Sequence, residues 1–528
     1  MKKGLLLSIL VFALSFQAYS QADDILATVE WSSPMPKTYV NIVYSDSARI
    51  YYAGRVSSGF TKYDEIFGRM RVEDLEKELE ITKEFEKIES AYPVSLGYKV
   101  KGEELHGFYT HYDKKKDLKS ILVRKIIDEN RKSGDFKVIG SIESSRSYKS
   151  SIDCKWSQND SILMLVGSPE KESGDDNEAM EFQVLDHNYD LLYQARIELD
   201  FEDRFFSVVS QGVTNSGKIL MLGYKTPNRK KGEKKKKESN ETYYLYVYDQ
   251  VSEELIEYDL GLKDKFITNI ALKTDFEGNK TVLFGMYSDE NRYTLTGTFY
   301  ISIDQSNYEI SNKKFNPFDQ NFIELMTSKR GSKKKLDKGK KKQIESRSMH
   351  LRNFIIKENG GHLVVFENYD KWETASTFNK TYRTNLHYRY NEVFVQNYSP
   401  EGDVIWTAFI PKYQQTTNDG GMYSGYLLVV DQNKLHFIYN DHKKNEALWG
   451  NKKKDQKVNK GFSKANLVMV TLTEGGDLSY NVLMKTKIEK FMISPRLSRM
   501  LGKNSNSGIL FARKESASRL GRIELILE

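Results

Sequence analysis

The residues best suited to chemistry in this sequence are eight histidines and one cysteine. The histidines are scattered at positions 106, 111, 187, 350, 362, 387, 436 and 442, and none belongs to an HExxH motif or a Cys/His cluster. His106 and His111 are five residues apart on a predicted strand, so we expect them to point to opposite faces. Cys154 alternates with Ile152 and Trp156, which predicts a buried thiol. We therefore predict no metal site and no cofactor.

An aspartate also recurs at the end of five similar apolar segments. These residues are Asp74, Asp128, Asp186, Asp249 and Asp304. One interpretation is a ring of carboxylates; the simpler one is a turn residue that accepts hydrogen bonds from nearby backbone N–H groups. No GxSxG motif occurs, and the sequence identifies no catalytic residue. Whether the protein is an enzyme stays open, with a non-enzymatic role favoured.

An aromatic segment at residues 370–390, DKWETASTFNKTYRTNLHYRY, is the best candidate for contact with a ligand. Trp372 and Tyr382 are its candidate binding residues, because aromatic rings stack on sugars and peptide planes. The alternative is a long hairpin between two strands that packs on its neighbour.

The charge of the chain is concentrated in three lysine-rich segments. The formal net charge is +7, and loss of Lys2 and Lys3 with a signal peptide leaves +5. Residues 229–237, 329–342 and 443–457 together hold +18, which leaves −13 for the rest of the chain. Their candidate binding residues are Lys230, Lys231, Lys234, Lys235, Lys333, Lys334, Lys340, Lys341, Lys452 and Lys453.

Two interpretations of these segments compete. Runs of like charge are commonly solvated loops that keep a protein soluble and cover strand edges. Alternatively, several such loops on one face attract an anionic partner through a salt-sensitive field. Lysine is a strongly hydrated point charge that suits diffuse attraction. An anionic envelope component such as a lipid phosphate, an anionic glycan or an acidic protein surface would fit.

The N-terminal residues predict export. Two lysines precede an apolar run at residues 5–16, and the small residues Ala18 and Ser20 define a cleavage site before Gln21. No cysteine follows that site, so lipid anchoring is not expected, and no later segment is apolar enough to cross a bilayer. We expect residues 1–20 to be removed. The remaining chain is expected to be a monomer in the periplasm or outside the cell, away from nucleic acid.

The elements that must position these residues repeat along the chain. Five short strands end near a glycine: RIYYAGRV, EELHGFYT, ILMLVGSP, KILMLGYK and TVLFGMYS. Another strand precedes each of them, and an alternating strand that ends at the recurring aspartate follows, then a fourth. The unit is therefore four strands, here called A to D, in about 55 residues. Residues 64–90 fit two strands of the first unit better than a helix.

Repeats of four antiparallel strands resemble the β-propeller superfamily, and the order is similar to that of exported propeller-like proteins of Bacteroidota-type bacteria. The resemblance implies an all-β fold at residues 21–528, with eight blades, or seven if one unit is misread. A last unit of three strands and a spare strand at 24–31 imply ring closure by the N-terminus. The alternative is a set of packed β-sandwich domains. The predicted blades span about 38–86, 93–141, 149–199, 206–260, 266–315, 350–411, 422–487 and 491–528.

The lysine-rich segments fall at equivalent connections of this repeat. Residues 229–237 and 443–457 lie between strands B and C of the fourth and seventh units, and a flexible insertion at 325–349 separates the fifth and sixth units. In an up-and-down blade, B-to-C and D-to-A connections leave from one face. A smaller run at Lys114–Lys116 would join them, whereas residues 170–178 are acidic.

The sequence therefore predicts an exported binding or scaffold propeller with a lysine-rich face for an anionic envelope, glycan or protein partner. The alternative is a periplasmic or secreted hydrolase that acts on glycans or peptides at the channel mouth, where several blades contribute residues.

Overall fold

The apolar segments that repeat along the chain form the middle strands of eight four-stranded sheets. Strand β19 (Lys280–Ser288) buries eight of its nine residues, whereas the outer strand β17 (Glu254–Asp259) buries none. A middle strand is covered by neighbours on both faces, so it reads as a continuous apolar run, and an outer strand meets solvent. Burial thus explains why strands B and C are apolar runs in the sequence.

The structure is a computed structural model, and the predicted all-β fold of eight four-stranded antiparallel blades is confirmed. It describes residues 27–32, 39–57, 63–84, 87–88, 91–127, 134–143, 152–168, 177–202, 205–226, 239, 241–275, 279–327, 344–345, 349–378, 381–431, 434–450, 456–460, 464–485, 492–501, 507–514 and 517–525. By internal contacts the chain divides into two units, residues 84–413 and residues 1–83 with 414–528.

The unit of residues 84–413 holds blades 2 to 6. Its strands are β6 (Val94–Lys101), β7 (Glu104–Asp113), β8 (Leu118–Ile127), β9 (Lys137–Glu143), β10 (Ile152–Trp156), β11 (Ile162–Gly167), β12 (Asn177–Asp186), β13 (Leu191–Glu202), β14 (Phe206–Val213), β15 (Ile219–Lys225), β16 (Thr242–Asp249), β17, β18 (Phe266–Asp275), β19, β20 (Thr294–Leu295), β21 (Gly297–Asp304), β22 (Ile310–Pro317), β23 (Ile344–Glu345), β24 (Met349–Ile356), β25 (His362–Phe378), β26 (Thr381–Tyr398) and β27 (Val404–Ile410). Its one described α-helix is α1 (Gln320–Thr327).

The second unit holds blades 1, 7 and 8. Its strands are β1 (Ala27–Trp31), β2 (Tyr39–Ser45), β3 (Arg49–Ser57), β4 (Tyr63–Arg71), β5 (Lys77–Glu84), β28 (Gln414–Thr417), β29 (Leu427–Asp431), β30 (Lys434–His442), β31 (Ala465–Leu472), β32 (Leu478–Met484), β33 (Met492–Ile493), β34 (Arg499–Met500), β35 (Ser507–Lys514) and β36 (Ala517–Leu525). Strands β4 and β5 confirm the two strands predicted within residues 64–90.

The N-terminal strand completes the last blade, as the sequence predicts. Strand β1 pairs antiparallel with β36, from Ala27 opposite Leu525 to Trp31 opposite Gly521. The eighth sheet therefore has the order β1-β36-β35-β33. Three C-terminal strands and one N-terminal strand supply one blade, which accounts for both the short last repeat and the spare first strand.

The hydrophobic core lies between successive blades. Leu245 of blade 4 and Leu283 of blade 5 are fully buried in one shared cluster, and Phe284 of blade 5 joins Phe366 of blade 6 in the next. In the other unit, Ile438 of blade 7 shares a cluster with parts of blade 8. Within each unit, successive blades are thus stabilised by apolar contact with one another.

The glycine that recurs in strand B provides room for an aromatic ring or a backbone. A Cβ atom on Gly285 would lie 2.2 Å from the carbonyl oxygen of Asn269, and one on Gly223 would lie 2.2 Å from the ring of Phe206. On Gly107 it would lie 2.7 Å from Ile126. These glycines are therefore required by close packing, since a real Cβ never approaches so closely.

The sequence did not predict helix α1. The Asp319 carboxylate accepts a 2.7 Å hydrogen bond from the backbone N–H of Phe322, which caps the first turn. Phe322 then packs on Phe318 at a ring distance of 4.8 Å. The segment predicted as a flexible insertion, 325–349, begins inside this helix and includes β23, which pairs with β20.

Candidate functional site

The most distinctive surface element is a long β-hairpin that continues blade 6. Strands β25 and β26 pair from His362 opposite Tyr398 to Phe378 opposite Thr381. Pairing of β24 with β25 ends at Asn368, and pairing of β26 with β27 begins at Val393. Residues 369–378 and 381–390, here called the ribbon, therefore extend past both of these neighbouring strands.

One face of the ribbon carries an aromatic and charged cluster. Trp372 lies directly opposite His387, and their rings stack at 5.1 Å and 16°. The guanidinium of Arg389 lies 5.1 Å from the indole ring, and its Nη2 is 2.6 Å from Asp370 Oδ2. Thr374 on the same face contacts His387 Nε2 at 2.7 Å. We call this set, Asp370, Trp372, Thr374, His387 and Arg389, the outer face of the ribbon.

The opposite face of the ribbon is buried at its base. Tyr388 and Tyr390 are 9% and 3% exposed, and the Tyr390 ring packs on Tyr369 at 4.6 Å. The guanidinium of Arg352 lies over both Tyr369 and Tyr390, at 5.2 and 5.8 Å. Alternation along the strands thus gives the ribbon one face on the protein and one toward solvent.

Buried charges hold the base of the ribbon. Lys412 Nζ lies 2.9 Å from Glu367 Oε1, with the two side chains 0% and 2% exposed. Arg352 Nε contacts the other oxygen of Glu367 at 2.8 Å, and Lys412 also donates to the carbonyl of Tyr390 at 3.0 Å. Burial lowers the pKa of Lys412, and Glu367 opposes that shift. Loss of either partner would leave a charge without compensation in the interior.

The ion pair between Arg389 and Asp370 is exposed, unlike the buried pair between Lys412 and Glu367. Arg389 and Asp370 are 44% and 40% exposed, and exposed pairs of this kind contribute at most about 1 kcal/mol. Arg389 can therefore exchange Asp370 for an anion at small cost. An indole beside an exchangeable guanidinium suits a ligand with one flat apolar surface and one acidic group.

Of the predicted site residues, only Trp372 and Tyr382 lie in the described part of the chain. Trp372 lies half-buried on the outer face of the ribbon, and Tyr382 lies in β26 opposite Thr377. All ten candidate lysines lie outside the described residues. The aromatic segment predicted as a ligand-contacting loop is a β-hairpin, which was the stated alternative, and one face of it packs on the protein.

Residues 229–237 are flanked by the strands expected, whereas residues 329–342 are flanked by two elements that the sequence did not predict. Residues 229–237 lie between β15 and β16, strands B and C of blade 4, and residues 329–342 lie between α1 and β23. In blade 2, Lys114–Lys116 form an exposed turn between β7 and β8, where the Asp113 carboxylate accepts from the N–H of Lys115 at 2.9 Å. Within residues 84–413, connections of this kind leave equivalent ends of blades 2, 4 and 6.

The blade 7 segment begins with ordered structure. Asn445 is fully buried, and its amide nitrogen donates to Asp441 Oδ1 at 2.7 Å and to the carbonyl of Lys457 at 2.9 Å. Its amide oxygen accepts from the N–H of Lys457 at 2.6 Å. Trp449 stacks on Tyr480 at 4.7 Å. Asn445 thereby fastens both ends of the segment that carries Lys452 and Lys453.

The recurring aspartate is a turn residue. Asp186 Oδ1 accepts from the backbone N–H groups of Asn188 and Asp190, at 2.7 and 3.0 Å, and these bonds hold the pKa of Asp186 below its usual range. The same local bond occurs at Asp74, Asp249 and Asp304. The carboxylate-ring interpretation is therefore wrong for these four residues, and Asp128 lies outside the described ones.

The histidines and the cysteine that the sequence offered as chemical groups lie in the interior or partly buried. His106 and His111 lie on β7 and are both buried. Cys154, predicted to be buried, is half-buried, and this burial raises the pKa of its thiol to about 11. Among the described residues, no group of three or more His, Cys, Asp or Glu side chains could hold a metal ion. No helix in the described part of the chain has the length and apolarity needed to span a bilayer.

A pocket of about 490 Å³ lies between blades 1 and 8. Its charged lining residues are Arg49, Arg71, Arg522, Glu73, Glu78 and Glu524. The arginines already contact acids; for example, Arg71 Nη2 lies 2.5 Å from Asp74 and Arg522 Nη2 lies 2.8 Å from Glu30. The pocket therefore has equal numbers of basic and acidic lining residues.

Sequence reasoning did not single out Glu367, Lys412, Arg352, His387 or Arg389. The signal for His387 and Arg389 was available, because both lie in the aromatic segment two positions apart. Residues two apart on a strand share a face. The signal for Lys412 was absent, since a lysine ordinarily lies at the surface.

No protein-family model matches the chain, and no curated protein matches it. Among solved structures, the β-propeller domain of the Trilobed protease from Pyrococcus furiosus is 11% identical with a TM-score of 0.32, over 85% of this chain and 96% of that one. The WD40 domain of SCAP from fission yeast is 9% identical with a TM-score of 0.36, over 93% and 98%. The acylaminoacyl peptidase from Pyrococcus horikoshii is 11% identical with a TM-score of 0.32, over 90% of this chain and 58% of that one. Likeness at this level carries no argument about function.

Proposed function

We propose that this protein is an exported binding module that engages an anionic partner of the cell envelope. The observation that carries the proposal is the outer face of the ribbon, where Trp372, His387 and Arg389 lie together on a strand pair that extends beyond its blade. The lysine-rich segments add a positive field that attracts the same partner.

An acidic glycan is the partner class that the ribbon fits best. A sugar ring has an apolar face that stacks on an aromatic side chain. Its carboxylate or phosphate would then replace Asp370 as the partner of Arg389, whose present ion pair is exposed. The lysines would also attract an acidic protein surface, but such a surface has no sugar ring to stack on the indole of Trp372.

The rigid base of the ribbon supports this role. Glu367, Lys412 and Arg352 fix the base of the ribbon through contacts of 2.8 to 2.9 Å. A binding element that is already ordered loses less conformational entropy when its ligand binds. The outer face is therefore suited to recognition rather than to covering a core.

Affinity electrophoresis tests the proposal with polygalacturonate as the acidic glycan and an uncharged glucan as its counterpart. We expect the acidic polymer alone to retard the protein, and Trp372→Ala to reduce the retardation severalfold with unchanged thermal stability. Deletion of residues 329–342 should also reduce it, and more so at low salt.

Ala375→Ser is the matched control, because Ala375 is an exposed residue of the ribbon outside its outer face and the change removes no ring and no charge. Equal retardation of wild type, Trp372→Ala and the deletion variant would refute the proposal. Retention on anionic phospholipid vesicles that depends on the lysines but not on Trp372 would assign the partner to a lipid surface instead.

A further inference from the structure

A basic cluster lies at one end of blade 7. Strand β30 ends at His442, which pairs with Ala465 at the start of β31. Just beyond this pair, the backbone N–H of Lys443 donates to the carbonyl of Lys464 at 2.7 Å. Lys443 and Lys464 therefore leave two adjacent strands side by side, and Lys444 follows at the next position.

Asn445 brings a fourth lysine to the same end of the blade. Its side-chain amide bonds to both backbone groups of Lys457, at 2.6 and 2.9 Å, and its own backbone N–H donates to the carbonyl of His442 at 2.7 Å. Asn445 is fully buried, so these bonds are shielded from water. Four residues, here called the lysine cluster, thus have their backbones held close to His442: Lys443, Lys444, Lys457 and Lys464.

The lysine cluster gives this end of the blade an excess of positive charge. All four side chains are exposed, and none of them forms an ion pair within the described part of the chain. The acids beside them in sequence are Asp441 and Glu446. Asp441 is buried, and its carboxylate already accepts from Asn445 Nδ2 at 2.7 Å and from the Tyr480 hydroxyl at 3.1 Å. Glu446 is exposed, so one accessible carboxylate stands against four accessible ammonium groups.

His442 supplies a hydrogen-bond donor beside these charges. Its side chain is 9% exposed, and its Nδ1 accepts from the backbone N–H of Lys444 at 3.2 Å. Because Nδ1 accepts, the neutral ring carries its proton on Nε2, and this nitrogen has no hydrogen-bond partner among the described residues. Burial lowers the pKa of His442, and the charges of all four lysines lower it further. The ring is therefore neutral near pH 7 and lies in a positive field.

The chemistry of the cluster favours phosphate over carboxylate. Residues 434–485 contain no arginine, the side chain whose planar fork matches a flat carboxylate. Ammonium groups are compact point charges that can approach a tetrahedral phosphate from several sides. A phosphate monoester also carries about two negative charges near neutral pH, so it attracts each ammonium more strongly than a single carboxylate does.

We infer that the lysine cluster and His442 form a binding site for phosphate groups. The four ammonium groups bind the phosphate oxygens, and the Nε2–H of His442 donates to one of them. The inference deepens the proposed function, because it rests on the same role for the lysine-rich segments and names the group that the blade 7 segment binds.

Isothermal titration calorimetry of the intact protein with pyrophosphate at low salt tests the inference. We expect Lys464→Gln to raise the Kd about fivefold, and Lys443→Gln combined with Lys464→Gln to raise it about 20-fold. Lys434→Gln is the matched control, because Lys434 lies at the opposite end of strand β30 and its loss changes the net charge equally. No measurable binding, or the same loss in Lys434→Gln and Lys464→Gln, would refute the site.

His442→Phe tests the donor, because it removes the Nε2–H and leaves the net charge near pH 7 unchanged. The Kd should rise about fivefold. An unchanged Kd would contradict the part assigned to His442. The exposed Lys464→Gln provides the deciding comparison if this buried substitution unfolds the blade.

Two comparisons separate this site from the outer face of the ribbon. Trp372→Ala should bind pyrophosphate as wild type does, and loss of that binding would contradict a separate site. Retardation by polygalacturonate without pyrophosphate binding would refute this inference alone. Pyrophosphate binding without such retardation would refute the proposed function alone.

Phosphatidylcholine vesicles that contain phosphatidic acid distinguish the source of the phosphate. Sedimentation of the protein with these vesicles that Lys464→Gln reduces would assign the phosphate to a lipid headgroup. Pyrophosphate binding without sedimentation would assign it to a soluble ligand. Absence of both would refute the inference.

Discussion

The ammonium of Lys412 lies 2.9 Å from the carboxylate of Glu367, and neither side chain reaches solvent. Lys412 follows blade 6 and Glu367 lies in its strand β25, so this contact fastens the end of the blade to the start of the ribbon. Buried ion pairs are costly to form, but breaking one is costlier still. The pair is therefore a sensitive point of the fold.

Glu367→Gln should destabilise the protein by about 3–5 kcal/mol, because Lys412 would keep a buried charge without a carboxylate. Urea unfolding measured by tryptophan fluorescence provides the comparison. The double variant Glu367→Gln, Lys412→Met removes both buried charges and keeps an amide oxygen that can accept from Arg352, so it should recover most of the loss. A double variant as unstable as the single one would show that packing, not charge, makes the contact important.

Asn445→Ala should loosen the lysine-rich segment of blade 7. The change removes three hydrogen bonds, to Asp441 and to both backbone groups of Lys457. A loss of about 1–3 kcal/mol is expected from the buried groups left unsatisfied. Limited trypsin digestion should cleave after Lys452 or Lys453 faster than in wild type. The adjacent exposed variant Lys444→Ala is the control, and equal cleavage of the two variants would contradict the role of Asn445.

Stability should fall on acidification partly through His106. Burial holds its pKa below the unfolded value of 6.5, so the unfolded chain takes up a proton before the folded one does. Its contribution is complete above pH 6.5 and is lost as pH falls toward the folded pKa. His106→Gln should weaken the decline in the urea midpoint between pH 7.5 and 5.5. The same decline in variant and wild type would assign the effect to the other half-buried histidines.

Gly285→Ala should destabilise blade 5 by about 1–3 kcal/mol, because the new Cβ would meet the Asn269 carbonyl oxygen at 2.2 Å. Gly212→Ala is the matched control, since it also lies in a strand and its Cβ would meet no atom within 4 Å. Thermal melts followed by circular dichroism would show the difference. Equal melting temperatures would mean that the blades shift to admit the methyl group.

The blades were predictable because each carries its own signals. A middle strand such as β19 is covered on both faces and reads as an apolar run, and turn residues such as Asp186 satisfy local backbone groups. Both effects act within a few residues, so each leaves a local pattern that can be recognised in a single sequence. The spare strand at the N-terminus was identified by counting, because a unit of three strands leaves an edge that needs a partner.

The sites were less predictable because they depend on residues far apart in the chain. Glu367 lies in β25 and Lys412 follows β27, and no local pattern indicates that one neutralises the other. The stacking of Trp372 on His387 depends on the register of the hairpin, in which Phe378 pairs with Thr381. Helix α1 has only eight residues, too few to establish a helical period.

The junction between β1 and β36 places a constraint on how this chain reaches its final form. Glu30 Oε2 lies 2.8 Å from Arg522 Nη2 although the residues are 492 positions apart. Closing a loop of that length in a flexible chain costs roughly 5 kcal/mol. Early in folding, the five residue pairs between β1 and β36 stabilise the chain by less than this cost. We therefore expect the eighth blade to assemble last and to open first. A circular permutant that joins the two ends and starts within residues 229–237 would relocate this seam.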